Sequence, residues 1–462
     1  MAEYDLTPIK VTKVNTRFRT IRTAIPVPQS LPIFEELRRS EPRSMAGQPP
    51  IVWHKADNFT VSDKWGNRWI DWSSGVLITN AGHGRKELAA AVKELVDRPL
   101  LATYVFVHEG RAILTRMLRE ISPDPADYQA FLLSTGGEAT ENCIKLARTY
   151  ALQKHGPHKK YFVSFRNAFH GRTMGAQLAG GNERLKAWMV DRDRTFVQVP
   201  FPDGYKNKDI SFDLFLRSLS EQDVNPQDIA GVMSESYQGV GPDFIPVDYA
   251  KLLEAFCHEH DIVLIMDEVQ SGFGRTGKMF CFEHYGIKPD LIACGKGITS
   301  SLPLSAVIGR KDIMGLYAPG SMTSTHSASP LAVAAAIENL KIIRKHKLAG
   351  RAARLGKILC PELRRIQQKH ALVLGCFQGK GLVAGIQVVK PGTREPDASM
   401  ATKINVACLQ KGLLMFAPVG VAGECLKVAP PLTIPEAALR ESIAVFEEAV
   451  HEVLTTSTPN IS

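Results

Sequence analysis

The amino-acid sequence predicts an α/β protein in which a large domain with a mostly parallel sheet is joined to a smaller α+β domain. Three observations lead to this fold class. The chain has 462 residues, which is too long for one ordinary hydrophobic core. From about residue 130, short apolar runs alternate with helical stretches, as expected for parallel strands joined by crossover helices. Beyond Pro330, long helical patterns with a few short strands replace this alternation.

The candidate strands of the large domain are short and apolar enough to be buried. They lie at 131–134, 161–165, 231–234, 262–266, 291–294 and 306–308, with a helix expected over 138–153. In the C-terminal part we expect helices around 331–347, 350–369 and 435–455, and strands near 371–376, 382–389 and 425–429. Near the N-terminus, 59–62 and 68–72 alternate like strands around a turn at 65–67. We therefore expect an N-terminal arm and part of the small domain in 1–70, the large domain in 71–330, and the rest of the small domain in 331–462.

Composition and charge exclude several classes of protein. Hydrophobic residues make up 44% and charged residues 22% of the chain, which argues against disorder and coiled coils. No apolar stretch approaches the roughly 20 residues that span a bilayer, so we expect a cytoplasmic protein without membrane contact. The net charge of +9 is spread among acidic residues, so nucleic-acid binding is not expected. The eight cysteines are scattered, which predicts reduced thiols and no metal site.

Two charged side chains are expected at the ligand-binding edge of the sheet. The stretch IVLIMDEVQSGFGRTG (262–277) reads as a buried strand with Asp267 at its carboxyl end, where ligands of open α/β sheets bind. Lys296 follows the next strand and stands between two glycines. Such a pair suits imine formation on pyridoxal 5′-phosphate (PLP), because a desolvated lysine attacks the aldehyde and a carboxylate keeps the pyridine nitrogen protonated. Taken singly, Asp267 could be a strand-end cap and Lys296 an exposed loop lysine.

A dinucleotide site is an alternative for the same region. The segment GFGRTG (272–277) satisfies the pattern G-x-G-x-x-G, which by itself is a weak signal. Its glycines begin several residues beyond the strand, and residues 278–285 are a poor start for a helix that faces phosphate. A nicotinamide dehydrogenase is therefore the less favoured interpretation.

Two further features could hold a flat, phosphorylated cofactor. The strand at 131–134 runs into Thr135-Gly136-Gly137 and then a helix, and exposed amides at a helix N-terminus bind phosphate. The residues alone also allow a plain strand-to-helix turn. Phe169 follows the next strand and offers an aromatic face, although by itself it would be read as a core residue.

These motifs together resemble the class III (omega) aminotransferases of PLP fold type I, which include 4-aminobutyrate and ornithine aminotransferases. The motifs that carry the resemblance occur in order along nearly the whole chain: TNAGHG (79–84), TGGEA (135–139), AFHGRT (168–173), DEVQSGFGRTG (267–277), Lys296, THSASP (325–330) and APPL (429–432). The resemblance implies a seven-stranded sheet, PLP as cofactor, and ping-pong transfer of an amino group from an omega-amino acid or primary amine to a 2-oxo acid. It also implies a homodimer, possibly a tetramer, with shared active sites.

The resemblance assigns roles to matching positions. Lys296 would carry the cofactor as a Schiff base and move the proton, and Asp267 would hold the pyridine nitrogen. Thr325 would reach the phosphate of the neighbouring subunit. The implied cofactor-binding residues are Gly136, Gly137, Phe169, His170, Glu235, Asp267, Val269, Gln270, Lys296 and Thr325.

The substrate-binding positions depart from the family pattern. In 4-aminobutyrate and ornithine enzymes, an arginine before the Ala-Pro-Pro segment grips the substrate carboxylate and pairs with a glutamate. Here Lys427 and Val240 stand at these positions, and lysine cannot reproduce the bidentate fork of arginine. Lys427 could act as a point charge or be a plain surface residue. Arg172 stands where 4-aminobutyrate enzymes hold the distal carboxylate.

The substrate and the outcome of the reaction therefore stay open at this stage. An acidic omega-amino acid, an amino sugar or another amine without a carboxylate would each fit the altered positions. Enzymes of the same fold also act as decarboxylases, epimerases or lyases with the same lysine and aspartate.

Overall fold

The computed structural model describes residues 4–457, which divide into two compact units. The large unit consists of Lys86–Gly350, and the small unit combines the residues up to Arg85 with those from Arg351 onward. The helices are α1 (Leu31–Ser40), α2 (Ser74–Leu77), α3 (Lys86–Asp97), α4 (Glu109–Glu120), α5 (Gly136–His155), α6 (Met174–Ala179), α7 (Phe212–Ser220), α8 (Val247–Glu259), α9 (Lys311–Met314), α10 (Pro330–Lys345), α11 (Leu348–Lys369), α12 (Ala398–Gln410) and α13 (Glu436–Ser457).

The strands complete the set of elements on which both units are built. They are β1 (Val14–Asn15), β2 (Thr20–Ile21), β3 (Lys55–Asp57), β4 (Thr60–Ser62), β5 (Arg68–Asp71), β6 (Tyr128–Leu133), β7 (Tyr161–Phe165), β8 (Phe196–Val199), β9 (Ile229–Glu235), β10 (Tyr237–Gln238), β11 (Asp243–Phe244), β12 (Val263–Asp267), β13 (Leu291–Cys294), β14 (Ser305–Arg310), β15 (Leu374–Lys380), β16 (Val383–Val388), β17 (Leu413–Leu414) and β18 (Cys425–Val428).

The large unit contains a seven-stranded sheet in the order β6-β14-β13-β12-β9-β7-β8. The strands from β13 to β8 pair in parallel, and β14 is antiparallel to both of its neighbours. The expected mostly parallel seven-stranded sheet is therefore confirmed. The edge strand β8 was not among the predicted strands, because its four residues are only half buried and include the polar Gln198.

Helix α5 covers the centre of this sheet and joins it in one hydrophobic core. Its buried residues include Cys143, Ile144 and Ala147, which belong to the same cluster as Phe162 of β7 and Val263 of β12. Their apolar area leaves water when the helix docks, which is the main stabilisation of such a layer. The helix begins at Gly136, shortly after β6 ends at Leu133. The N-terminus of α5 therefore lies at the carboxyl end of this strand.

The small unit combines the two ends of the chain, as the sequence predicts. Strand β17 pairs in parallel with β5, and β15, β16 and β18 form a separate antiparallel sheet. The amide of Ala429 donates to the carbonyl of Trp72 at 2.8 Å, and that of Leu432 donates to Asn80 at 3.0 Å. These bonds fix residues 71–85 to the C-terminal segment.

The boundaries between the units differ from those expected at residues 70 and 330. The first lies after Arg85, because residues 71–85 are bonded to the C-terminal segment. The second lies after Gly350, because α10 packs against α3 and α4 of the large unit. The helix expected at 331–347 therefore belongs to the large unit and not to the small one. None of the helices within residues 4–457 combines the length and apolarity that a bilayer span requires.

Candidate active site

A cavity of about 260 Å³ lies in the large unit where the central strands end. Its lining residues come from the carboxyl ends of β9 and β12, from the first turn of α5, and from the segments that follow β7, β12 and β13. They are Gly136, Gly137, Phe169, His170, Gly171, Glu235, Asp267, Val269, Gln270 and Lys296. The structure thus brings together every residue predicted to bind a cofactor except Thr325. It adds Gly171, for which sequence reasoning had no separate signal.

Asp267 is held at the end of β12 by two hydrogen bonds. His170 Nδ1 lies 2.8 Å from Asp267 Oδ2, and the amide of Val269 donates to Oδ1 at 3.0 Å. Burial opposes the charged form of His170, but the hydrogen bond and the charge of Asp267 outweigh it and raise the pKa of His170. These two hydrogen bonds orient the carboxyl group of Asp267.

Lys296 reaches the same cavity from the turn that follows β13. Burial lowers the pKa of Lys296, while the negative charges of Asp267 and Glu235 act in the opposite direction. A lowered pKa leaves more of the amine unprotonated, which is the form that attacks a carbonyl carbon. The interpretation of Lys296 as an exposed loop residue is therefore wrong.

Glu235 connects two sides of the cavity. Its Oε2 accepts a hydrogen bond from the amide of Phe169 at 3.1 Å, and its Oε1 accepts one from the amide of Gly239 at 2.8 Å. Burial raises the pKa of Glu235 to about 7. Through its two hydrogen bonds, the side chain of Glu235 fixes the backbone of Phe169 on one side of the cavity and the turn at Gly239 on the other.

Gly136 and Gly295 pack closely against Val269, which leaves little room for a side chain at either position. A Cβ atom added to Gly136 would lie 2.8 Å from Val269 Cγ1, and one added to Gly295 would lie 3.2 Å from it. At the first turn of α5, Thr135 Oγ1 accepts a hydrogen bond from the amide of Glu138. The amides of Gly136 and Gly137 have no acceptor within their own helix. This helix N-terminus suits an anionic group such as phosphate.

Comparison with known proteins decides the family. The family model described as "Aminotransferase class-III" matches residues 43–450. The chain belongs to the class-III aminotransferases. It is similar to the 4-aminobutyrate aminotransferase of Mycobacterium leprae, with 32% identity over 93% of this chain and 97% of the relative.

Two further similar proteins show the range of the similarity. The leucine/methionine racemase of Thermococcus litoralis is 31% identical over 91% of this chain and 95% of its own. The solved structure of a Bacillus anthracis aminotransferase superimposes with a TM-score of 0.83 at 31% identity, over 92% of this chain and 99% of the other. The expected fold type I is thereby confirmed.

Class-III aminotransferases depend on PLP, and the cavity of this aminotransferase fits that cofactor. The amides of Gly136 and Gly137 suit the phosphate, Asp267 suits the pyridine nitrogen, and Lys296 lines the same cavity and carries an amine that suits covalent attachment. When bound, PLP supplies an aldehyde that captures amines and a ring that withdraws electrons from the neighbouring carbon. The segment GFGRTG leads into a short 3₁₀ turn at Cys281–His284 and not into an α-helix, which removes the basis for a dinucleotide site.

The remaining predicted residues of this aminotransferase lie outside the cavity lining. Thr325 and Arg172 are exposed, and Val240 is half-buried. Lys427 is only 1% exposed and lies on β18 of the small unit, so its interpretation as a surface residue is wrong. Among residues 4–457, no group of three or more His, Cys, Asp or Glu side chains is placed to bind a metal ion.

One supporting feature could have been found from sequence but was missed. The side chain of Glu138 accepts hydrogen bonds from the amides of Ser134 and Thr135 at 2.9 and 2.8 Å, which completes a capping box with Thr135. The spacing Thr-x-x-Glu before an apolar helix is the usual signal for this motif. The box fixes the turn that carries Gly136.

Replacing Lys296 with alanine is expected to abolish covalent attachment of PLP, because Lys296 supplies the amine in the cavity lining. The measurement is reconstitution with PLP, borohydride reduction and mass analysis of the peptides. Lys288→Ala serves as the control, since Lys288 is half exposed and pairs with Asp124. An adduct that persists in Lys296→Ala would contradict the assignment.

Replacing Gly136 with alanine is expected to weaken PLP binding about tenfold or more, since overpacking a tight contact costs about 1–3 kcal/mol. The new methyl group would meet Val269 at 2.8 Å. Titration of the apo-protein with PLP measures the change. Gly350→Ala is the matched control, because a Cβ atom there has nothing within 4 Å. Equal affinities of the two variants for PLP would contradict the proposal that the cofactor binds against Gly136.

Proposed function

We propose that this aminotransferase moves the amino group of an omega-amino acid to a 2-oxo acid by a ping-pong cycle. The observation that carries the proposal is the convergence of Lys296, Asp267 and the α5 N-terminus on one cavity. In this proposal Lys296 would remove a proton from the amine-bearing carbon of the donor as general base and then deliver it, as general acid, to the former aldehyde carbon of the cofactor. Asp267, oriented by His170, keeps the ring nitrogen of the cofactor protonated.

The environment of Arg172 supports a donor with a distal carboxylate. Arg172 follows the cavity residue Gly171, and its guanidinium carbon lies 5.5 Å from the centre of the Phe169 ring. Among residues 4–457, no acidic side chain forms an ion pair with Arg172, so its charge is available to a ligand. The 4-aminobutyrate aminotransferase of M. leprae is named for a substrate with such a carboxylate.

We infer further that the acceptor is pyruvate or 2-oxoglutarate. The roles of Val240 and Lys427 in binding either carboxylate rest on the family resemblance and stay predictions. The cytoplasmic location expected from the sequence also stays a prediction.

Racemisation of an amino acid is the second candidate, because one of the relatives is a leucine/methionine racemase. The two functions differ in their need for an acceptor. A racemase interconverts enantiomers without a 2-oxo acid, whereas transamination consumes one molecule of acceptor for each donor.

A homodimer is part of the proposal, and an exposed apolar segment supports it. In residues 101–107 of the large unit, Phe106 is 76% and Val107 is 88% exposed, and Leu101, Tyr104 and Val105 are also exposed. Monomeric proteins rarely expose such a continuous apolar stretch. The Tyr104 hydroxyl lies 3.4 Å from that of Thr323, close in sequence to Thr325. A second copy of the chain bound to this segment would therefore lie near Thr325. Thr325 is the residue expected to reach the phosphate of the cofactor in that second copy.

An assay with a panel of donors tests the substrate. We expect 4-aminobutyrate or 5-aminovalerate to react with pyruvate or 2-oxoglutarate, with one amino acid formed for each acceptor consumed. Arg172→Ala should raise KM for these donors about 10- to 100-fold, since a hydrogen bond to a charged group contributes about 1.5–3 kcal/mol. A primary amine without a carboxylate is the control donor and should be unaffected. Equal losses with both kinds of donor, or turnover of a single amino-acid enantiomer without acceptor, would overturn the proposal.

The dimer is tested by charge substitution in the apolar segment. The double variant Phe106→Asp, Val107→Asp should sediment as a monomer, because two carboxylates would be buried without partners in the interface. Val190→Asp is the matched control, since Val190 is apolar, fully exposed and outside the segment. A wild-type protein that sediments as a monomer at micromolar concentration would exclude the homodimer.

A further inference from the structure

The turn that carries Lys296 has an unusual backbone. Lys296 has φ of 40° and Ser300 has φ of 54°, which is the left-handed region that side chains with a Cβ atom rarely adopt. Lys296 is preceded and followed by glycines, yet it is the lysine itself that has this conformation. Such a conformation persists only where surrounding contacts impose it.

Asn339 makes two of these contacts from helix α10. Its Nδ2 donates to the carbonyl of Gly297 at 2.8 Å and to the carbonyl of Ile298 at 2.9 Å. Both amide hydrogens of the side chain are therefore used on the two residues that directly follow Lys296. Because carbonyl oxygens only accept hydrogen bonds, the orientation of the Asn339 amide is fixed by its partners.

A buried asparagine at position 339 is energetically unfavourable apart from these two hydrogen bonds. The side chain has no exposed surface, and the buried residues around it on α10 include Ala335, Ala336 and Leu340. Asn339 Oδ1 has no hydrogen-bond partner among the described residues, and an unsatisfied buried acceptor is unfavourable. Asparagine is also a weaker helix former than leucine or alanine. An apolar residue would pack and form helix better here.

We propose that Asn339 is a positioning residue that holds the Lys296 turn in the left-handed conformation and thereby keeps the lysine amine directed into the cavity. Other local bonds lie within the turn itself: the amide of Ile298 donates to Gly295 at 3.0 Å, and Thr299 Oγ1 donates to Leu302 at 2.5 Å. The Asn339 bonds differ because they connect the turn to a long helix packed on α3 and α4. The inference rests on Lys296 being the residue that attaches PLP.

The test compares Asn339→Leu with Asn405→Leu in the full-length protein. Leucine has the same branching at Cγ and no hydrogen-bond donor, so each variant loses the donor of a buried asparagine on a helix. Asn405 is the matched control, because its Nδ2 also donates to a backbone carbonyl, that of Phe416 at 3.0 Å, but in the small unit. Both variants should lose thermal stability.

Only Asn339→Leu should affect the lysine. We expect its apo-protein to attach PLP about tenfold more slowly or worse, because the competent turn is populated less often. Attachment is followed by visible absorbance and by borohydride reduction with mass analysis of the Lys296 peptide. Backbone amides of residues 295–302 should exchange hydrogen faster in Asn339→Leu, and Asn405→Leu should match the wild type in both measurements.

A second variant keeps the test decisive if leucine prevents folding. Asn339→Asp retains the shape of the side chain but replaces the donor with a carboxylate, so it should also slow attachment. Wild-type rates of attachment and exchange in a folded Asn339 variant would overturn the inference, as would equal effects in Asn405→Leu. Failure of the wild-type protein to form any adduct at Lys296 is a different result, since it would contradict the assignment of the lysine itself.

Discussion

The parallel register of β9, β12 and β13 is the constraint on which the active site depends. Glu235 ends level with Asp267 across the first pair of strands, and Asp267 ends level with Ala293 across the second. Lys296 follows after the turn that begins at Gly295. Because a slip of one residue would turn each side chain to the opposite face of the sheet, the two carboxylates and the amine meet only in this pairing.

The charges that meet there have their pKa values shifted in different directions. Burial raises the pKa of Glu235 to about 7, while the bond to Asp267 raises the pKa of His170 and burial lowers that of Lys296. Shifts in opposite directions allow one cavity to hold groups of different protonation states, including an amine that can react. Burial shifts these pKa values, and it also restricts where the side chains can lie. A buried polar group that loses its hydrogen-bond partner is destabilising.

The sequence predicts those parts of the molecule that local patterns determine. Strands β7 and β13 have the predicted bounds, because each is a short apolar run that ends at a turn. Lys427 could not be placed as buried, because periodicity does not say which face of a strand is covered. The limits of the units depend on contacts between distant segments, such as the bond from Ala429 to Trp72. Asn339 gave no signal, since a polar residue in a helical pattern usually lies on the exposed face.

The resemblance to 4-aminobutyrate and ornithine enzymes implies a proline at position 236, where this chain has serine. The hydrogen bonds of Ser236 give this serine a structural role. Ser236 Oγ donates to Glu268, which is fully buried and also accepts from Ser271 Oγ at 2.6 Å and from the amides of Cys281 and Phe282 at 2.9 Å. Burial raises the pKa of Glu268 to about 7, whereas each hydrogen bond from these donors acts in the opposite direction and stabilises the carboxylate form. Proline has no hydroxyl to donate. The substitution therefore stabilises the segment after β12 and needs no role in substrate choice, which leaves Arg172, Val240 and Lys427 as the positions where specificity should be sought.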